Sequence, residues 1–303
     1  MESAVINIIE LPSNLGLMEK SGTADEPGVG KLPDRLREFK FHSLIDPDRT
    51  FRLEPPPYSM KMDHKSRVRN ADSIVRYAKQ QLGPITDGLN RECFLLIIGG
   101  DCSIIIGNAV ALRQKGNYGL FFLDGHTDFI GPELSQTGGA AGMDLAIVAG
   151  HGHDELTNIN GLKPYFEERN IFCVGNREYN EDYVRPILES EIEYVNLESL
   201  RQKGMANTAL QFLHMVERRK LDGFLVHLDV DVLNDTIMPA VDSRQPDGLT
   251  YKELSDLLVP LLCSQQAIGM EITILDPDLD PHGRYTELFV DNFVEIFKKG
   301  KSL

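Results

Sequence analysis

Continuous apolar runs of strand length alternate along this chain with segments of helical spacing. That alternation restricts the fold more than any other feature. The runs are AVINIIEL (4–11), CFLLII (93–98), YGLFFLD (118–124), NIFCVG (170–175), DGFLVHLDVD (222–231) and AIGMEITI (267–274). Runs that stay apolar, rather than alternating with polar residues, suit parallel strands covered on both faces. Val68, Ile74, Val75 and Ala78 recur at helical spacing within 66–82, and further helices are expected at 103–115, 181–189, 205–219, 250–263 and 284–299. A glycine- and proline-rich loop leading into a short helix occupies 13–36. Strand and helix in regular exchange predict a three-layer α/β/α sandwich around a mostly parallel central sheet. No Ser/Gly linker, charge block or internal repeat divides the 303 residues, so one domain spanning 1–303 is expected.

Charge and cysteine usage narrow the partners. A formal net charge of -15 argues against a nucleic-acid partner, whose phosphates need clustered Lys and Arg. No segment approaches the roughly 18 uninterrupted apolar residues of a membrane span. The opening MESAVINIIELPSN lacks a basic stretch before its apolar run, so no secretory signal is expected. Cys93, Cys102, Cys173 and Cys263 lie far apart with no CxxC pair, which suits a reducing, cytoplasmic compartment.

In α/β sheets of this kind ligands bind beyond the carboxyl ends of the strands. There the apolar runs give way to Asp101-Cys102-Ser103, Asp124-Gly125-His126-Thr127-Asp128 and Asp229-Val230-Asp231, and the last run carries Glu271. In FFLDGHTDF the acid, imidazole and acid fall at i, i+2 and i+4. Two anionic oxygens and a ring nitrogen suit a divalent first-row cation, although DGHTD is also good turn chemistry. Asp229 and Asp231 are one residue apart at the end of an apolar strand, where like charges repel and a cation relieves them. Two such groups favour a binuclear site, with metals roughly 3.5–4 Å apart. Cys102 has three readings: a small buried hydrophobe, an oxidisable thiol that releases a metal, or a metal ligand.

GGDCS (99–103), DGHTD (124–128), HLDVDVLND (227–235) and GMEITILDPD (269–278) together resemble the ureohydrolase family of arginase, agmatinase and formimidoylglutamase. Its signatures are GGDHS, DAHxD and SxDxDxxDP, and the likeness runs from about residue 4 to the C-terminus. The resemblance implies an arginase-like fold and two divalent metal ions, usually Mn2+. A bridging hydroxide would attack a guanidino or amidine carbon, releasing urea from guanidino substrates. It implies Cys102, Asp124, His126, Asp128, Asp229 and Asp231 as metal ligands, with Asp124 and Asp229 as bridges. Asp128 and Glu271 would be catalytic, Glu271 by pairing with the guanidinium-like group. Thr137 and Ser243 would join Glu271 in binding the substrate, and the family's trimers and hexamers imply a homo-oligomer.

The departures matter as much. Cys102 stands where most members have a metal-binding histidine; a few related hydrolases, hydroxyarginine amidinohydrolases among them, are similar in carrying cysteine there. A softer sulfur donor admits Zn2+, Fe2+ or Co2+. Ile130, Thr137, Gly139 and Ala141 stand where arginases use an Asn, Ser and Asn to read the amino-acid end and a His to shuttle protons. The usual contacts for free L-arginine are therefore missing. Asn234-Asp235 replaces the family's Asp-Pro. His227 is expected to support a ligand, whereas His151 and His153 read as an exposed loop or helix end. A formimidoylglutamase-like or hydroxyarginine-type hydrolase is one alternative; a non-catalytic, metal-depleted scaffold or sensor is another.

Overall fold

The computed structural model describes residues 5–19, 26–90 and 93–301; Ala4 of the first expected strand and residues 20–25 of the expected loop lie outside them. The strands are β1 (Ile6–Glu10), β2 (Arg49–Arg52), β3 (Phe94–Ile98), β4 (Gly119–Leu123), β5 (Ile171–Val174), β6 (Glu193–Val195), β7 (Phe224–Asp229) and β8 (Ala267–Thr273). They form one eight-stranded sheet in the order β2-β1-β3-β8-β7-β4-β5-β6, parallel at every pairing.

Every residue of β3, β4 and β7 is buried, as continuous apolar runs require when both faces are covered. One face packs against helices Leu32–Glu38, Met205–Arg218, Tyr251–Cys263 and Arg284–Lys301. The other packs against Ala71–Asn90, Ile105–Lys115 and Asp144–Val148, which completes the three-layer sandwich. Full burial of a side chain such as Leu96 or Phe121 contributes about 1.5–3 kcal/mol. The sheet interior is therefore committed to packing, and chemistry is pushed to the strand tips.

The six expected runs are β1, β3, β4, β5, β7 and β8. Sequence periodicity misses β2 (RTFR) and β6 (EYV), short edge strands with largely uncovered side chains and no apolar run. The expected helix over 66–82 instead spans Ala71–Asn90 and continues through Pro84, because Leu82, Ile85 and Leu89 keep packing on the core. Residues 62–69 form a turn closed by a bridge between Met62 and Arg69. Among the described residues no helix is long and apolar enough to cross a membrane.

Candidate metal centre

The four middle strands β3, β8, β7 and β4 all point their carboxyl ends the same way, and the residues just past them converge. Past β3, Asp101 caps the turn that carries the thiol: its Oδ1 accepts from Ser103 N at 2.8 Å and its Oδ2 from Ser13 Oγ at 2.7 Å. Gly100 is required here, because a Cβ would sit 1.7 Å from the Ser13 carbonyl oxygen. GGD thus locks the exit of β3 against the exit of β1 and delivers Cys102 into the interior. Its Sγ lies 3.0 Å from Asp229 Oδ2 and 3.1 Å from Thr273 Oγ1.

Past β4, the turn predicted from DGHTD folds its polar groups around one point. Asp124 Oδ1 accepts from His126 N at 2.6 Å, and His126 Nδ1 lies 2.8 Å from Asp231 Oδ2. Asp128 takes a left-handed backbone conformation (φ +44°), uncommon outside glycine and frequent at working sites. Past β7, Asp229 Oδ1 accepts from Asp231 N at 2.7 Å, and Asp231 Oδ1 from Gly125 N at 2.9 Å. The loop after β5 braces both turns. Asn176 Nδ2 donates to the Asp124 carbonyl at 2.9 Å and to the His126 carbonyl, and Arg177 Nη2 donates to the Asp231 carbonyl at 2.7 Å.

Two groups of ligand atoms result. Cys102, Asp124 and Asp229 lie within 4.8 Å of one another, and so do Asp124, His126 and Asp231. Asp124 belongs to both, and its Oδ2 is buried without a hydrogen-bond partner. Burial pushes Asp124, Asp128 and Asp229 well above the usual carboxylate range, and their mutual repulsion adds to it. Burial and the neighbouring Asp229 push the Cys102 thiol up as well. Burial would raise Asp231 and lower His126, but their ion pair wins. It holds Asp231 below the usual range and raises His126 to about 10. Buried acids that resist ionising, one orphaned oxygen, an imidazole and a thiol are a donor set that fits divalent cations.

Cys102, His126, Asp128, Asp229 and Asp231 line a cavity of about 470 Å³, and Asp124 lies fully buried outside its lining. Thr137 and Ser243 line it too, and so do Ile130 and Ala141. Glu271 requires a correction. It is fully buried within β8, not at a tip, with Oε1 at 2.6 Å from His227 Nδ1 and Oε2 accepting from Asn108 Nδ2 at 2.6 Å. Its carboxylate is spent inside the fold and does not line the cavity; the β8 exit residue that does is Ile274, at φ +76°. His151 pairs with Glu168, and His153 accepts from Glu155 N; both are exposed and neither lines the cavity. Asn234 and Asp235 are turn residues: Asn234 Oδ1 accepts from Thr236, and Asp235 pairs with Arg244.

Several residues escaped sequence reading. Asn176 and Arg177 carry no motif, and Ile274 stands within GMEITILDPD without having been singled out. Asp144, which joins Cys102 and His227 in a third ligand group, opens the short helix Asp144–Val148 and was given no role from sequence.

A parallel α/β sandwich with a metal-binding-like cluster at its central strand tips defines the class of this chain. The profile described as the Arginase family matches residues 13–297, and the chain belongs to that family, with Cys102 in the cluster at the position of the usual histidine. It is 29% identical over 285 residues to an arginase of Staphylococcus aureus strain MRSA252, covering 93% of this chain and 92% of that one. The structure is similar to that of the arginase of Bacillus caldovelox, with a TM-score of 0.85, 25% identity and coverage of 97% and 98%. It also shares its fold with the Entamoeba histolytica arginase in complex with L-ornithine, with a TM-score of 0.84, 20% identity and coverage of 98% and 99%.

Proposed function

We propose that this chain is a metal-dependent hydrolase of linear amidines, cleaving a guanidino compound to release urea. The observation that carries the reading is the sharing of Asp124 between two ligand groups, with one of its oxygens left unpartnered, in a member of the arginase family. Cys102, Asp124, Asp128 and Asp229 would hold one cation, and Asp124, His126, Asp229 and Asp231 the other. Such a pair, when bound, supplies hydroxide near neutral pH and polarises the carbon under attack. Manganese is the metal that the family resemblance suggests, and the sulfur donor favours zinc or cobalt as competitors.

The chain's own groups set the rest. Glu19, Glu178 and Asp242 line the cavity together with Asp128, so its field favours a cationic guanidinium over an anionic substrate. Asp128, half-buried at the cavity wall, takes the orienting role first assigned to Glu271. Thr137 and Ser243 offer hydroxyls to the substrate tail.

The test is urea and ammonia release by protein loaded with Mn2+, Zn2+ or Co2+. Arginine, hydroxyarginine, agmatine, guanidinobutyrate and formimidoylglutamate form the panel. Urea from at least one guanidine is expected. Asp229→Asn should lower turnover beyond the roughly 10–100-fold cost of changing a group that merely orients a ligand. Silence across the panel with every metal would reject hydrolysis. It would favour the scaffold reading, which the apolar wall of Ile130, Ala141 and Ile274 supports.

A further inference from the structure

Cys102 Sγ has a second set of neighbours. It lies within 4.8 Å of ligand atoms of Asp144 and His227, which are equally close to each other, and all three residues are buried. We propose that Cys102, Asp144 and His227 form an inner site for one borderline-soft divalent cation, zinc or cobalt in type, additional to the pair that would share Asp124 and joined to it through Cys102.

The sheet register builds the site. His227 on β7 is paired with Phe122 on β4 and Glu271 on β8, so the three side chains stand in a row on one face. The imidazole stacks on Phe122 at 4.4 Å between centroids, with 4° between planes. Its Nδ1 lies 2.6 Å from Glu271 Oε1, and Asn108 fixes the other Glu271 oxygen. Glu271 thus occupies Nδ1, and Nε2 is the ring nitrogen left to meet another partner. Nε2 is buried with no hydrogen-bond partner. Asp144 repeats the pattern: Oδ1 accepts from Leu145 N at 2.6 Å, and Oδ2 is buried and unpartnered.

A buried nitrogen and a buried oxygen, each without a hydrogen-bond partner, therefore belong to the two residues grouped with the sulfur. A proton on Nε2 donated to Asp144 would satisfy both, but that hydrogen bond is not made. Among the described residues neither Asp144 nor Glu271 makes an ion pair with Lys or Arg. A cation takes up all three donors at once. An imidazole backed by a carboxylate is the usual arrangement of a metal-binding histidine. The S, N, O set suits zinc better than manganese or magnesium. Sulfur can serve two cations, so filling this site leaves the groups around Asp124 in place.

The experiment uses the full chain, stripped of metal, dialysed against Zn2+ and weighed by elemental analysis. Wild type should hold about one zinc equivalent more than His227→Ala and one more than the isosteric Asp144→Asn. Asp231→Asn should lose a different equivalent. Circular dichroism of the metal-free variants reports whether each folds. In ¹⁵N-histidine spectra of the wild type, the His227 Nε2 resonance should move on zinc addition, and it should still move in Asp231→Asn. Equal zinc content in wild type, His227→Ala and Asp144→Asn would overturn the site, as would an Nε2 resonance indifferent to zinc. Turnover plays no part in this test, so a filled inner site with no urea release would reject the hydrolase reading alone.

Discussion

Cys102 replaces a nitrogen donor by a sulfur in the middle of a carboxylate cluster, and its consequences are measurable one residue at a time. Cys102→His exchanges a soft ligand for an imidazole. In competition for both metals, the bound zinc-to-manganese ratio should fall by roughly an order of magnitude, read by elemental analysis. An unchanged ratio would remove sulfur from the ligand set. Burial also decides the thiol's reactivity, since a group 1% exposed, with its ionisation pushed up by burial and by Asp229, offers little thiolate to oxidants. The redox-switch reading loses its physical basis. Cys263 is the exposed thiol, so alkylation of the native protein followed by peptide mapping should modify Cys263 and spare Cys102. At this scale the sequence reached far. Strand-tip acids, His126 and Cys102 were legible because apolar runs announce where a strand stops. Glu271 was misplaced for the same reason: near the end of a run, an acid inside a strand looks like an acid beyond it. Only the register, which sets Glu271 opposite Ile97 and His227, shows that Ile274 reaches the cavity.

Elements hold the tips in place through buried polar ties that periodicity cannot show. Glu10 ends β1 fully buried, with Oε1 at 2.8 Å from Arg37 Nε and 2.9 Å from His42 Nε2. It joins β1 to the helices Leu32–Glu38 and Phe41–Ile45. Burial alone would raise its carboxyl, but the adjacent His42 imidazole and the Arg37 guanidinium bring it down to about 2. A carboxyl lower in the folded than in the unfolded chain stabilises above the unfolded value and loses that contribution as pH falls through the folded one. Glu10→Gln should therefore cost about 1–3 kcal/mol at neutral pH, by denaturant unfolding. The gap to wild type should close between about pH 4.5 and pH 2. A gap independent of pH would mean that packing, not charge, is lost. The inner strands were readable as elements because two covered faces demand unbroken apolar sequence. β2 and β6 were not, because edge strands make no such demand, and the five-residue helix that carries Asp144 is too short for any period to register.

The whole molecule folds around a concentration of acid at and beneath the floor of one cavity. Asp124, Asp128, Asp144 and Asp229 are all held well above the usual carboxylate range, by burial first and by one another second. Cation uptake favours the ionised forms of these groups and of Cys102, and so competes with protons for them. Calorimetric titration in two buffers of different ionisation enthalpy should therefore show net proton release, and affinity should weaken as pH falls. Removing metal with a chelator should lower the melting temperature. At a free metal concentration a hundred times Kd, each site contributes about 2.7 kcal/mol. The most direct trial of the account is diffraction from metal-loaded crystals above and below the absorption edge of the bound metal. Anomalous peaks should appear within the Cys102–Asp124–Asp229 group and within the Asp124–His126–Asp231 group, with Asp124 touching both. Fully loaded protein with no peak beside Asp124 would contradict it.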